Sequence, residues 1–92
     1  MPKRSKLEIY FDVLRVIGKG VSKPTRIMYG ANLSWRSLEQ VFAKLIAQGF
    51  IEVEEQKTAK RYGLTPKGQR ALQYYYRALE DLVTPEQIIR MA

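Results

Sequence analysis

Arg36, Gln40 and Lys44 follow one another at four-residue intervals with Ser37 alongside, opposite an apolar set made of Leu38, Val41, Phe42 and Leu45. That spacing puts the polar side chains on one face of a helix and the apolar ones on the other. The chemistry open to such a polar face is recognition. A guanidinium matches the O6 and N7 acceptors of guanine, a carboxamide matches N6 and N7 of adenine, and ammonium and hydroxyl groups suit phosphate. Ser34 is a good N-cap for this helix, and the amides that follow it favour an anion. Glu39 carries the opposite sign: it would repel phosphate unless it paired with Arg36 or met a cytosine amino group. Trp35 is expected to pack, partly buried, at the edge of the same surface.

Two further groups of residues share this character. Lys57, Thr58, Lys60 and Arg61 lie in a segment, residues 56–70, that holds five basic side chains and no acidic one. Lys23, Thr25 and Arg26 surround Pro24 at the end of residues 1–26, where seven basic side chains face two acidic ones. Between and after these segments the balance is slightly acidic. Over 92 residues, 16 Lys and Arg against 9 Asp and Glu leave a net charge of +7. A clustered excess of this kind suits a polyanion. If about six to eight phosphates were neutralised, log K would fall against log salt with a slope of roughly −5 to −7.

The inventory also excludes. The chain has no cysteine and no histidine. Disulfides, thiolate zinc sites and thiol nucleophiles are thereby removed, with the usual general base and the commonest metal ligand. Neither an enzyme, a cofactor nor a metal site is expected. The apolar runs are too short to span a membrane. The basic start, Met1 to Lys6, is not followed by the apolar stretch of a signal peptide, so a cytoplasmic location is expected.

The elements that must position these residues can be read from pattern. Ser5-Lys6-Leu7-Glu8 has the form of a capping box. Leu7, Tyr10, Phe11, Leu14 and Ile17 then mark one helical face, with Ile9, Val13 and Val16 as a second apolar strip, and Gly18 and Gly20 close the helix. Met1 to Arg4 is expected to be a frayed basic arm. Pro24 to Gly30 reads as a short second helix with Ile27 and Met28 inward. Gly30-Ala31-Asn32-Leu33 is a turn short enough for a helix-turn-helix unit, and the third helix runs from Ser34 to Gly49 with Ile46 in its buried stripe. Phe50 to Glu55 alternates apolar and acidic residues, and Arg61 to Leu64 alternates again, so the two form a hairpin with a polar tip. Glu52, Glu54 and Glu55 are expected to point away from any polyanion held by that tip.

Thr65-Pro66 starts a fourth helix marked by Leu72, Tyr75, Tyr76, Leu79 and Leu82, and Thr84-Pro85 restarts a short one over residues 86–91. Tyr74-Tyr75-Tyr76 cannot form one stacking platform, because consecutive helical residues point about 100° apart. Apolar strips on several sides of this helix exceed what one small core can cover. A homodimer through residues 66–92 is therefore expected. The fold class is mainly α with a small antiparallel β-hairpin: a single winged helix-turn-helix domain over residues 1–92, its core about 5–72, with a C-terminal dimerisation helix.

Lys23-Pro24-Thr25-Arg26-Ile27-Met28-Tyr29-Gly30-Ala31-Asn32-Leu33-Ser34 resembles the archaeal "ten-a" group of small basic winged-helix DNA-binding proteins. Ser5 to Ile9 and the Tyr62-Gly63-Leu64-Thr65-Pro66-Lys67-Gly68 string are similar as well, so the resemblance covers about residues 3–72. It implies a cytoplasmic, nucleoid-associated protein that binds double-stranded DNA with little sequence preference and dimerises through a long C-terminal coiled coil. Here Thr84-Pro85 interrupts that last helix, which favours a compact dimer. The resemblance puts Lys23, Thr25, Arg26 and the residues after Ser34 at the DNA face. The function expected is duplex binding by a transcription regulator or architectural protein, with residues 34–48 in the major groove and residues 56–61 on the backbone or minor groove. The alternative is a winged helix used for protein–protein assembly.

Overall fold

A computed structural model describes residues 4–82. Its elements run α1 (Lys6–Gly18), α2 (Pro24–Gly30), α3 (Trp35–Ala47), β1 (Ile51–Glu55), β2 (Lys60–Leu64) and α4 (Pro66–Leu82). The expected architecture of helices around one antiparallel hairpin is what the chain forms. The short helix read at residues 86–91 lies outside the described residues.

α1 starts at the capping box: the Ser5 hydroxyl accepts from the Glu8 amide, and the Glu8 carboxylate accepts from the Ser5 amide. Both apolar strips of α1 are used, since Val13, Leu14, Val16 and Ile17 are all buried. Leu7 departs from expectation and stays 63% exposed, because the first turn of α1 reaches only the rim of an apolar groove shared with Tyr10, Phe11 and Phe50. The core is completed by Ile27 and Ala31 at α2, Leu38, Val41, Phe42 and Leu45 of α3, Ile51 of β1 and Leu72 of α4. Ile46, expected in the buried stripe, is 40% exposed. It lies about 80° round the helix from Leu38, beyond the reach of the core.

β1 and β2 pair antiparallel with Ile51 opposite Leu64, Val53 opposite Tyr62 and Glu55 opposite Lys60. Side chains alternate along a strand, so those six share the inward face and Glu52, Glu54, Arg61 and Gly63 share the outward one. The Tyr62 ring stacks on Phe42 of α3 with centroids 4.0 Å apart. The Tyr62 amide donates to the carbonyl of Ser22 in the α1–α2 loop, which occupies the outer edge of β2. Phe11 of α1 stacks on Tyr75 of α4 with centroids 4.4 Å apart, so α4 is fastened across the base of the domain.

The junction between α3, the hairpin and α4 converges on one peptide group. Gly49 leaves α3 with φ 77°, and the amides of Gly49 and Phe50 donate back to Ile46 and Leu45. This is the Schellman ending that a glycine at C′ permits. The Phe50 carbonyl then accepts from the Thr65 amide, while the Thr65 hydroxyl caps α4 by accepting from the Gly68 amide. A side chain at Gly68 would run into that carbonyl. Gly68→Ala should therefore lower unfolding free energy by about 1–3 kcal/mol. Gly63→Ala, with open space around the new methyl, should change it by no more than about 0.5 kcal/mol. Urea denaturation of the two variants checks both values.

Candidate nucleic-acid interface

The polar face of α3 is set by the turn that precedes it. α2 ends at Gly30 with Ala31 as its C-cap, and Asn32 takes φ 53°. The Asn32 amide donates to Tyr29 and the Leu33 amide to Met28, a second Schellman ending with asparagine in the glycine place. Leu33 and Met28 are both half-buried against the core. The released carbonyls of Ala31 and Asn32 accept from the Arg4 guanidinium at 2.8 and 2.9 Å. Arg4 also pairs with Asp12 of α1 at 2.9 Å, and Asp12 pairs with Arg15 at 2.8 Å. Arg4, read from the sequence as part of a frayed arm, is instead a pin between α1 and the helix-turn-helix corner. Sequence spacing holds no signal for it, because its acceptors are main-chain groups 27 and 28 residues away.

α3 then begins at Ser34, whose hydroxyl accepts from the Ser37 amide and donates to the Ser37 hydroxyl. Both serines are exposed, but their side chains already serve the cap. Arg36 and Gln40 stand on the crest of α3 opposite Leu38 and Leu45, and both are exposed. Lys44 and Ser37 lie on the flank toward α1: Ser37 and Gln40 border a recess with Lys6, Ile9 and Tyr10, and Lys44 borders the groove at Leu7. Lys23 is the N-cap of α2; its ammonium has no acceptor with which to cap the helix and belongs to none of the ion pairs among the described residues. Thr25 and Arg26 follow, exposed, in the first turn of α2.

The opposite flank of α3 faces the hairpin across an open cleft of about 690 Å³. Trp35, Glu39 and Phe42 line its helical side, and Glu55, Thr58, Lys60 and Tyr62 line its hairpin side. Trp35 remains 46% exposed at this wall, more open than its expected packing role. Lys57 and Thr58 sit in the loop of residues 56–59, closed by a bond from the Gln56 amide to the Ala59 carbonyl. Lys60 begins β2 with its ammonium 3.8 Å from the Glu55 carboxylate.

Two placements differ from expectation. Arg61 belongs to the outward face of the hairpin, opposite Glu54 and in a recess with Glu52, away from Thr58 and Lys60. Glu55, expected to point away, faces the cleft. The reason for both is the two-residue period of the strands. Counting from Ile51 puts 53 and 55 inward, and counting from Tyr62 puts 61 outward; the alternation was present in the sequence and its parity gives both placements.

This arrangement of three helices, a corner, a hairpin and a closing helix agrees with a family model described as winged helix-turn-helix, which matches residues 3–82. The chain belongs to that family. An uncharacterised protein of Methanocaldococcus jannaschii is 37% identical over 78 residues, covering 85% of this chain and 76% of the relative. The archaeal resemblance read at residues 23–34 is in keeping with that relative. Of solved winged-helix structures, Sso10a-2, a DNA-binding protein from Sulfolobus solfataricus, superposes with a TM-score of 0.69 at 23% identity, over 96% of this chain and 95% of that one. Streptococcus pneumoniae FabT, solved in complex with DNA, superposes with a TM-score of 0.71 at 19% identity, over 89% of this chain and 65% of that one. At such identities the likeness is one of fold.

If Arg4 holds the corner, Arg4→Ala should lower stability by about 1–2 kcal/mol. Amide exchange measured by NMR should quicken most at Asn32 and Leu33, with the Glu8 amide of the capping box less affected.

Proposed function

We propose that this winged helix binds double-stranded DNA as a homodimer, with α3 in the major groove and the tip of the hairpin against the backbone or adjacent minor groove. The observation that carries this reading is the exposed crest of α3, where Arg36 and Gln40 stand clear, with Lys23, Thr25 and Arg26 at the start of α2 and Lys57, Thr58 and Lys60 at the hairpin as further phosphate-binding groups. A helix of this diameter fits the major groove, and cations on neighbouring elements would fix its register on phosphate. The net charge of +7 supports the same reading. So do the printed descriptions of the two structural neighbours, one a DNA-binding protein and the other bound to DNA. Ser34 and Ser37 would contribute through the start of α3, Lys44 from its flank, and Arg61 least of the basic residues.

The homodimer reading is supported by α4. Tyr76, Leu79 and Leu82 lie along it at 40%, 42% and 71% exposure, an apolar line with no cover among the described residues. A second copy would bury it, since such a line on a soluble domain is normally matched by a partner. The cellular role would be transcription regulation or DNA packaging in the nucleoid, and the difference rests on sequence preference. Within the described residues, no helix is long and apolar enough to cross a membrane.

Titrating a labelled generic duplex at several salt concentrations tests the reading. Lys57→Ala with Lys60→Ala should weaken binding to all duplexes alike and flatten the log–log salt slope by about 2. Arg61→Ala should have a smaller effect. An unchanged affinity and slope in the double variant would remove the hairpin from the interface. Leu79→Glu with Leu82→Glu should shift the protein toward monomer in sedimentation equilibrium.

A further inference from the structure

Glu39 is the residue that the DNA-binding reading leaves unexplained. It is exposed on the second turn of α3, on the flank facing the hairpin, in a cleft that also holds Thr58, Lys60 and one other carboxylate, Glu55. Neither Glu39 nor Arg36 belongs to an ion pair among the described residues, where the pairs are Arg4–Asp12, Arg15–Asp12 and Lys60–Glu55. The pairing with Arg36 that would have made Glu39 electrostatically neutral is thus absent there. Glu55, the other carboxylate of the cleft, has Lys60 beside it. Glu39 alone enters the cleft uncompensated.

We propose that Glu39 determines which base pair this domain accepts, its carboxylate taking a hydrogen bond from the N4 amino group of a cytosine in the major groove. The inference rests on the DNA-binding reading above. In that groove a carboxylate meets phosphate on both walls and acceptors on guanine and thymine, all unfavourable; adenine offers its N6 amino group only beside the N7 acceptor, which leaves cytosine N4 as the donor suited to it. Arg36 precedes Glu39 by three residues, about 4.5 Å along the helix axis. The step between bases along a strand is about 3.4 Å. Arg36 and Glu39 can therefore address neighbouring positions, guanine by the guanidinium and cytosine by the carboxylate. Phe42, three residues on and stacked on Tyr62, lines the same cleft as Glu39. Little sequence preference, as the family resemblance implies, would not need an acid at this position. Its presence costs general affinity and returns selectivity.

The test is selection from a randomised duplex library, with affinity measurements on selected and unrelated duplexes, for the full chain and for Glu39→Ala and Glu39→Gln. The native protein should enrich cytosine at one position of each site. Glu39→Ala should bind unrelated DNA more tightly and lose a preference of about ten-fold at that position. Glu39→Gln should move the preference there toward adenine. If Glu39→Ala tightens binding to every duplex equally and the selected sites do not change, Glu39 is only a repulsive charge and the proposal fails. Failure of the native protein to bind any duplex at low salt would overturn the DNA-binding reading itself, a result distinct from unselective binding.

Discussion

The placement of α3 depends on how the chain leaves α2. That helix has seven residues, too few to hold itself together, and the groups at its end weigh as much as those within it. Ile27, fully buried, fixes its inner side. Asn32, in the left-handed region, lets its own amide and that of Leu33 fold back onto the helix, and the carbonyls of Ala31 and Asn32 are taken by Arg4. Because Arg4 is also held by Asp12, the corner is tied to α1 and not only to the core. The direction of α3, and with it the position of Arg36 and Gln40, follows from that arrangement.

The hairpin is attached by different means. Its root is hydrogen-bonded at Phe50, its middle is stacked through Tyr62 on Phe42, and its tip carries no large apolar side chain. Burial therefore declines along β1 from the root to the tip. The alternation of the strands also sorts charge. Lys60 and Glu55 share the side toward α3, and Glu52, Glu54 and Arg61 share the other. Arg61 is balanced by neighbours of opposite sign on that outer side, whereas Lys57 at the tip belongs to none of the ion pairs among the described residues.

Most of the fold was legible because the signals were local. Ser5 with Glu8, Pro24, Ser34 and Thr65-Pro66 mark helix starts by side-chain capping or ring geometry, and these elements begin where those residues stand. The core stripe of α3 was legible through Leu38, Val41, Phe42 and Leu45, but Ile46 at its margin was not. Periodicity gives the direction of a side chain and says nothing of how far the neighbouring element extends. The candidate site was legible on the crest of α3 and at the start of α2 for the same local reasons. Its walls were not: the cleft between Trp35 and Lys60 depends on how helix and hairpin meet in space, with Phe42 stacked on Tyr62 between them. Arg4 was hidden because main-chain acceptors leave no mark in sequence.

A ribbon of two strands has two open margins, and the protein treats them differently. The margin of β2 is closed by Ser22, which receives the Tyr62 amide. The margin of β1 has no strand beside it among the described residues, and Glu52, Glu54 and Glu55 lie along it. Were a second molecule to add its own β1 there, carboxylates would be crowded together across the new ladder. Like-charge crowding discourages the runaway stacking into fibrils to which bare strand margins are prone. The acids of β1 thus oppose edge-to-edge addition of a second hairpin at the one margin that Ser22 does not close.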